Sequence, residues 1–107
     1  MPVPTDPDLE NFLSAFNALS DPFRLRIVDL LRSQELCVSE LCSQLEVGPS
    51  KISFHLKQLK EVNLLRSRQE GRWIYYSLNL SQFVVLEQYL AVYRRFSPIV
   101  PVKKSEE

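Results

Sequence analysis

The chain has 107 residues, with 13 Lys plus Arg balanced by 13 Asp plus Glu, 45% hydrophobic and 10% aromatic content. Those figures fit one globular domain, too short for two large ones and small enough to gain from association with a second copy. Only two Gly occur, in neither a GxGxxG nor a GxxxxGKS/T pattern, which excludes nucleotide chemistry on glycine-rich phosphate loops of those types.

Pro2, Pro4 and Pro7 predict an extended arm over residues 1–7. Leu9, Phe12, Leu13, Phe16 and Leu19 then recur at steps of three and four, the stripe of a first helix from Asp8 to Leu19. Ser20 or Asp21 as N-cap, with Pro22 in the first turn, opens a second helix to about Ser33, with Phe23, Ile27, Leu30 and Leu31 on one face. A third, shorter helix is expected from Ser39 as N-cap through Leu45, with Leu41 and Leu45 inward and Val47-Gly48 as the break. Pro49 begins a fourth helix to about Val62, in which Ile52, Leu56 and Leu59 face inward. Ser50, Lys51, Ser53, Phe54, Lys57 and Gln58 are left outward. Two helices joined by a short turn containing Gly form the helix-turn-helix pattern.

Leu65 to Gln69 and Arg72 to Leu78, rich in β-branched and aromatic residues and broken at Glu70-Gly71, predict a β-hairpin. In its second strand Ile74, Tyr76 and Leu78 are expected inward, with Trp73 and Tyr75 on the other face. Ser81 is the expected cap of a last helix to about Phe96. That helix has one stripe of Phe83, Leu86, Leu90 and Tyr93 and another of Val85, Tyr89, Val92 and Phe96, so it needs two partners. Pro98, Pro101 and a polar end predict a flexible tail over 98–107, leaving 8–97 as the domain. The fold class is mainly α with a β-hairpin wing, a winged helix-turn-helix in the order α-α-α-α-β-β-α.

The zero net charge conceals polarity: residues 1–50 carry net −5, residues 51–76 net +4 and residues 77–107 net +1. The positive block falls on the fourth helix and hairpin, the parts of a winged helix that meet the major groove and the adjacent minor groove or backbone. Lys51, Lys57, Lys60, Arg66, Arg68 and Arg72 taken singly fit a solvated surface. Together with the helix-turn-helix they point to double-stranded DNA. Ser50, Lys51, Ser53 and Phe54 lie on the turns that reach base edges, Lys57 suits phosphate, and Arg68 and Arg72 belong to the wing. Phe54 suits a thymine methyl or a neighbouring helix. His55 reads as a packing or capping residue before a phosphate or metal contact, and Trp73 and Tyr75 as cover for a core edge before a stacking platform.

The string Glu35-Leu36-Cys37-Val38-Ser39-Glu40-Leu41-Cys42, followed by Val47 to Lys57 and by Gly71-Arg72-Trp73-Ile74-Tyr75-Tyr76, resembles the ArsR/SmtB family of metal-responsive repressors over about residues 9–96. The resemblance implies a homodimer that represses its own operon until an inducer releases it from DNA. Its interface would be formed by the first and last helices, through Leu9, Phe12, Leu13, Phe16, Phe83, Leu86, Leu90 and Tyr93. The arsenic-sensing branch carries three thiols, as Glu-Leu-Cys-Val-Cys-Asp-Leu-Cys, to bind trivalent arsenic or antimony. Here the outer two are present as Cys37 and Cys42 and the middle position is Ser39, so a third ligand must come from solvent, a small thiol or elsewhere in the dimer. The family's acidic and His site on the last helix has no counterpart, because His55 is the only histidine. With Ser39 as N-cap, Cys42 would lie in the first turn, where free N–H groups favour the thiolate.

Spacing alone also fits two cysteines that fill the core, and a third possibility is redox control through a Cys37 to Cys42 disulfide. An enzyme is the rival class, weakened by the single His and the lack of an acid pair with recognisable spacing. A protein-binding module on the same fold is another rival, and it predicts no salt-dependent DNA affinity. No organic cofactor is expected. The N-terminus lacks a secretory pattern, and no stretch reaches the roughly 18 apolar residues of a membrane span, so a cytoplasmic protein with no membrane partner is expected.

Overall fold

A computed structural model describes residues 7–103. Residues 1–6 of the expected arm and 104–107 of the expected tail lie outside the described residues. Pro7, expected in the arm, is the first residue of helix α1 (Pro7–Leu19). Helix α2 (Pro22–Leu30) follows, then a two-residue strand β1 (Leu36–Cys37), helix α3 (Val38–Leu45) and helix α4 (Pro49–Glu61). Strands β2 (Leu65–Glu70) and β3 (Trp73–Leu78) form the wing, and helix α5 (Leu80–Arg95) completes the domain.

Local chemistry explains most boundaries. Asp21 is the cap of α2: its Oδ1 accepts from the N–H groups of Phe23 at 2.8 Å and Arg24 at 3.1 Å, and Pro22 occupies the first turn. Ser20 instead donates its hydroxyl to the Asn17 carbonyl. α4 ends with Asn63 in the left-handed region at φ 62°, which lets the Leu64 N–H reach the Leu59 carbonyl at 3.1 Å. In the wing Glu70 pairs with Trp73 around the two-residue turn Gly71-Arg72, and Gly71 takes φ 61°, a conformation that glycine adopts without steric cost.

Several boundaries differ from expectation. Cys37, not Ser39, caps α3, and Asn79, not Ser81, caps α5, with the Ser81 hydroxyl donating to the Asn79 Oδ1. The left-handed residue that ends α3 is Glu46 at φ 56°, while Gly48 is extended and serves as N-cap of α4. α2 stops at Leu30, three residues short of Ser33. The sheet also has a third strand that the sequence did not announce. β1 pairs antiparallel with β3, Leu36 opposite Tyr76 and Cys37 opposite Tyr75, giving the order β1-β3-β2.

The core gathers Ile27, Leu41, Ile52, Leu56, Leu59 and Leu64, all fully buried, with Leu36 and Leu65 from the sheet. The inward triplet of α4 is therefore as expected. In α1 the fully enclosed positions are Ala15 and Ala18, with Phe12, Phe16 and Leu19 packed around them and Leu13 exposed. Small side chains there let α1 approach α2 and α4 closely. Tyr76 and Leu78 pack on the core, but Ile74, expected with them, is 42% exposed because the end of the wing extends past the helical body.

Candidate nucleic-acid interface and thiol site

On α4 the residues Ser50, Lys51, Ser53, Phe54 and Lys57 are all exposed and share the face opposite the buried Ile52, Leu56 and Leu59. This face has a support beneath it. His55 is 7% exposed, and its Nδ1 accepts from the Arg24 Nε at 3.0 Å, so the ring carries its proton on Nε2. The ring also lies 4.9 Å from Phe23 and 5.3 Å from Phe54. Burial, ahead of the positive charges of Arg24 and Lys51, holds the imidazole below its ordinary value against the opposing pull of Asp21. His55 is thus a packing residue. Arg24 additionally donates to the Ala18 carbonyl and lies 5.9 Å from the Phe54 ring centroid. Phe54 remains 54% exposed above it. The Lys51 ammonium sits 4.6 Å from the Phe23 ring.

The wing treats its two arginines differently. Arg72 is exposed at the turn, 5.5 Å from the Trp73 ring. Arg68 is held by carboxylates: its Nε lies 3.0 Å from both oxygens of Glu35, and its Nη1 is 2.6 Å from Glu70. Among the described residues both ion pairs belong to Arg68. Lys60 donates to the Ser67 hydroxyl at 2.6 Å, which ties α4 to β2. Arg24 and Glu35 are the site residues that sequence reading missed. Their partners lie 31 and 33 residues further along the chain, and no local pattern links them.

Cys37 and Cys42 are both free thiols, the first buried and the second half-buried. Cys37 belongs to β1 and caps α3 together, with an extended backbone at φ −92° and ψ 172°. Its N–H donates to the Glu40 Oε1 at 2.9 Å, and its Sγ lies 3.2 Å from the Ser39 hydroxyl. The Cys37 amide, then its thiol, hold the Glu40 carboxyl below its ordinary value. Because the helix begins at Val38, Cys42 lies in its second turn. The expected place among the free N–H groups of the first turn is therefore not the one it occupies.

Both cysteines line one cavity of about 450 Å³, together with Val38 and Ser39. Its other walls are Pro49, the first residue of α4, and Arg72, Trp73 and Ile74 of the wing. Two cysteines lining one space are the residue type that suits a thiophilic centre. Among the described residues no group of three or more His, Cys, Asp or Glu gathers to complete a larger ligand set.

The residues expected at a dimer interface divide. Leu86 is buried in its own chain, Phe16 and Phe83 pack on the core, and Phe12 stacks on Tyr89 with ring centroids 3.9 Å apart. Leu9 is half-buried. Reciprocal hydrogen bonds between the Asn11 and Gln82 side chains join α1 to α5. Leu13, Leu90 and Tyr93 face outward, as do Val85, Val92 and Phe96.

Three helices, a short turn, an exposed cationic helix face and a two-stranded wing define a winged helix-turn-helix domain. The family model for bacterial regulatory proteins of the arsR family matches residues 21–67. An arsenical resistance operon repressor of Bacillus subtilis is 40% identical over 72 residues, which cover 66% of this chain and 69% of that protein. The chain belongs to the ArsR family. An arsenic resistance transcriptional regulator of Pseudomonas putida is 46% identical over 65 residues, 60% of this chain. The match spans about half of that relative's length, 51%. Both relatives are regulators of transcription, not enzymes. The same fold occurs in the homodimeric winged helix-turn-helix DNA-binding domain of a possible ArsR-family regulator from Mycobacterium bovis. Its TM-score is 0.68 at 22% identity, with 97% of this chain and all of that one covered. Among the described residues no helix is long and apolar enough to cross a membrane.

Proposed function

We propose that this chain is a transcriptional repressor that binds double-stranded operator DNA as a homodimer in the cytoplasm. It leaves the operator when trivalent arsenic or antimony is held by Cys37 and Cys42. The observation that carries this reading is the shared cavity, which both cysteines line together with the first residue of α4 and the tip of the wing. A ligand held there bears on both elements that meet DNA in this docking mode, which is what coupling of inducer binding to DNA release requires. Cys37 also stands opposite Tyr75 across the sheet and donates its N–H to Glu40 in the first turn of α3, so a displacement of Cys37 bears on both. The arsenic resistance regulators among its relatives support this choice of inducer.

On the DNA side, Ser50, Ser53 and Phe54 reach toward base edges, Lys51 and Lys57 meet phosphates, and Arg72 meets the backbone beside the wing. The exposed apolar residues Leu13, Leu90 and Tyr93 of α1 and α5 form the face for the second copy.

Fluorescence anisotropy of the upstream promoter fragment tests this reading. The expected result is salt-steep binding, with arsenite or antimonite releasing the wild type but neither Cys37→Ser nor Cys42→Ser. Operator affinity indifferent to both ions would overturn it. Release by mild peroxide with a Cys37 to Cys42 disulfide seen by mass spectrometry, and no response to arsenite, would assign the thiols to redox control instead.

A further inference from the structure

Beyond helix α5 the chain keeps an apolar character that its own fold does not bury. Ile99 is 91% exposed and Val102 93%, the two most exposed large apolar side chains among the described residues, and Val100 is exposed between them. All of residues 97–103 are exposed, and no backbone hydrogen bond among the described residues engages them. Pro98 and Pro101 fix their own φ at about −65° and keep Ser97 and Val100 extended. The polyproline form that this favours repeats about every third residue, which puts Ile99 and Val102 on one edge. At about 3.1 Å per residue the segment spans about 22 Å. That reach is close to the width of a second copy, since the chain measures 28 and 27 Å along its two short axes. The segment also continues the outward stripe of α5, where Val85, Val92 and Phe96 are exposed.

Resting on the homodimer proposed above, we infer that residues 97–103 cross to the second copy and lay Ile99 and Val102 into its groove between α1 and α5. That groove is a cavity of about 310 Å³, with Phe12, Val85, Leu86 and Tyr89 as its apolar walls and Asp8 and Gln88 as its polar ones. Asp8 belongs, with Glu10, to the acidic first turn of α1, which complements the charge of Lys103 at the far end of the segment. The groove is continuous with the proposed dimer face, because the Tyr89 ring in its wall lies 6.4 Å from the ring of Tyr93. A chain's own groove is not the seat of its segment. Return to it takes a reversal after Phe96, and the described chain from Ser97 to Lys103 contains no turn. Pro98 opposes one by keeping Ser97 out of the helical region. Crossing to a second copy needs no reversal. Two-fold symmetry gives each copy one segment and one groove, so the exchange is reciprocal and closed. The two prolines have already restricted the segment, which lowers the cost of ordering it.

The test brings isotope-labelled and unlabelled full chain to equilibrium in equal amounts and reads isotope-filtered NOEs between copies. Contacts from the Ile99 and Val102 methyls of one copy to the Phe12 and Tyr89 rings of the other are expected. Fluorescence-detected sedimentation then compares the wild type with the double variant Ile99→Ser and Val102→Ser, checked for unchanged circular dichroism. The dimer dissociation constant should rise about a hundredfold in that variant, about tenfold for each of the two exchanged segments. An unchanged dissociation constant overturns the exchange and leaves a dimer held by the helices alone. So does an absence of methyl contacts to the other copy, whether the methyls touch their own groove or nothing. A wild type that stays monomeric at every concentration overturns the homodimer and the exchange together.

Discussion

Glu35 and Arg68 meet through a guanidinium whose Nε lies 3.0 Å from both carboxylate oxygens, although they are 33 residues apart in the chain. The contact ties the segment ahead of β1 to the wing strand β2, next to the cysteine that caps α3. It also occupies a cation of the candidate DNA surface, since Glu70 holds the same guanidinium from its other side. The Arg68 hydrogen bonds keep the Glu35 carboxyl below its ordinary value, so the pair is charged at neutral pH.

Replacing Glu35 by Gln should therefore raise operator affinity, because it removes a negative charge and frees Arg68 for phosphate. The slope of log affinity against log salt should steepen by about 0.9 for the added contact. The melting temperature should change little, since the pair is solvent-exposed. Anisotropy titrations at several salt concentrations measure this, and weaker binding with an unchanged slope would mean that the pair holds the wing in its DNA-competent position.

Lys51→Ala, Lys57→Ala and Arg72→Ala remove exposed side chains that form no ion pair among the described residues. Each should weaken binding to operator and non-operator DNA alike and flatten the salt slope by about 0.9 per lost phosphate contact. The double variant Lys51→Ala with Arg72→Ala should keep the wild-type circular dichroism and oligomeric state. Full operator binding by that double variant would exclude these contacts.

The His55 ring, held neutral and below its ordinary value near 6.5 by burial, makes folding pH-dependent in a defined direction. Below about pH 6.5 the unfolded chain takes up a proton that the folded one refuses, so stability is level above that pH and declines as the pH falls through it. Asp21, Glu35 and Glu40, whose carboxyls are held low, lose their contributions only at more acid pH. Denaturant melts between pH 7.5 and about 5.5 should show the decline in wild type. His55→Gln, which retains an acceptor for Arg24, should flatten it. An equal slope in both proteins would assign the effect to another group.

Ala15 is 0% exposed at the approach of α1 to the body of the domain. Ala15→Leu should cost about 1–3 kcal/mol through overpacking, despite its higher hydrophobicity. Urea unfolding checks it, and a gain in stability would show that α1 has room to shift.

The element order follows from short-range periodicity. Ile52, Leu56 and Leu59 fall on one face of a 3.6-residue helix whatever surrounds it, and the same repeat leaves Ser50, Lys51, Ser53, Phe54 and Lys57 outside. Asp21-Pro22 opens a helix by bonds to its own next residues, and the left-handed Gly71 makes the wing turn locally. These features, with the polarised charge and the two cysteines, were legible in the chain, and so was the family.

The region around the two cysteines was decided by tertiary structure. A two-residue strand has no periodicity to read, and β1 exists because Leu36 and Cys37 find Tyr76 and Tyr75 across the sheet. That pairing holds Cys37 extended, so α3 starts immediately after it and moves the cap from Ser39 to Cys37. The same long-range closure pairs Arg68 with Glu35, bonds Arg24 to His55, and brings Trp73 and Ile74 to the cavity that the two cysteines line. Local propensity depends on a few neighbouring residues. Which distant side chains share a cavity depends on how the whole chain packs, and so the cavity became visible only in the folded molecule.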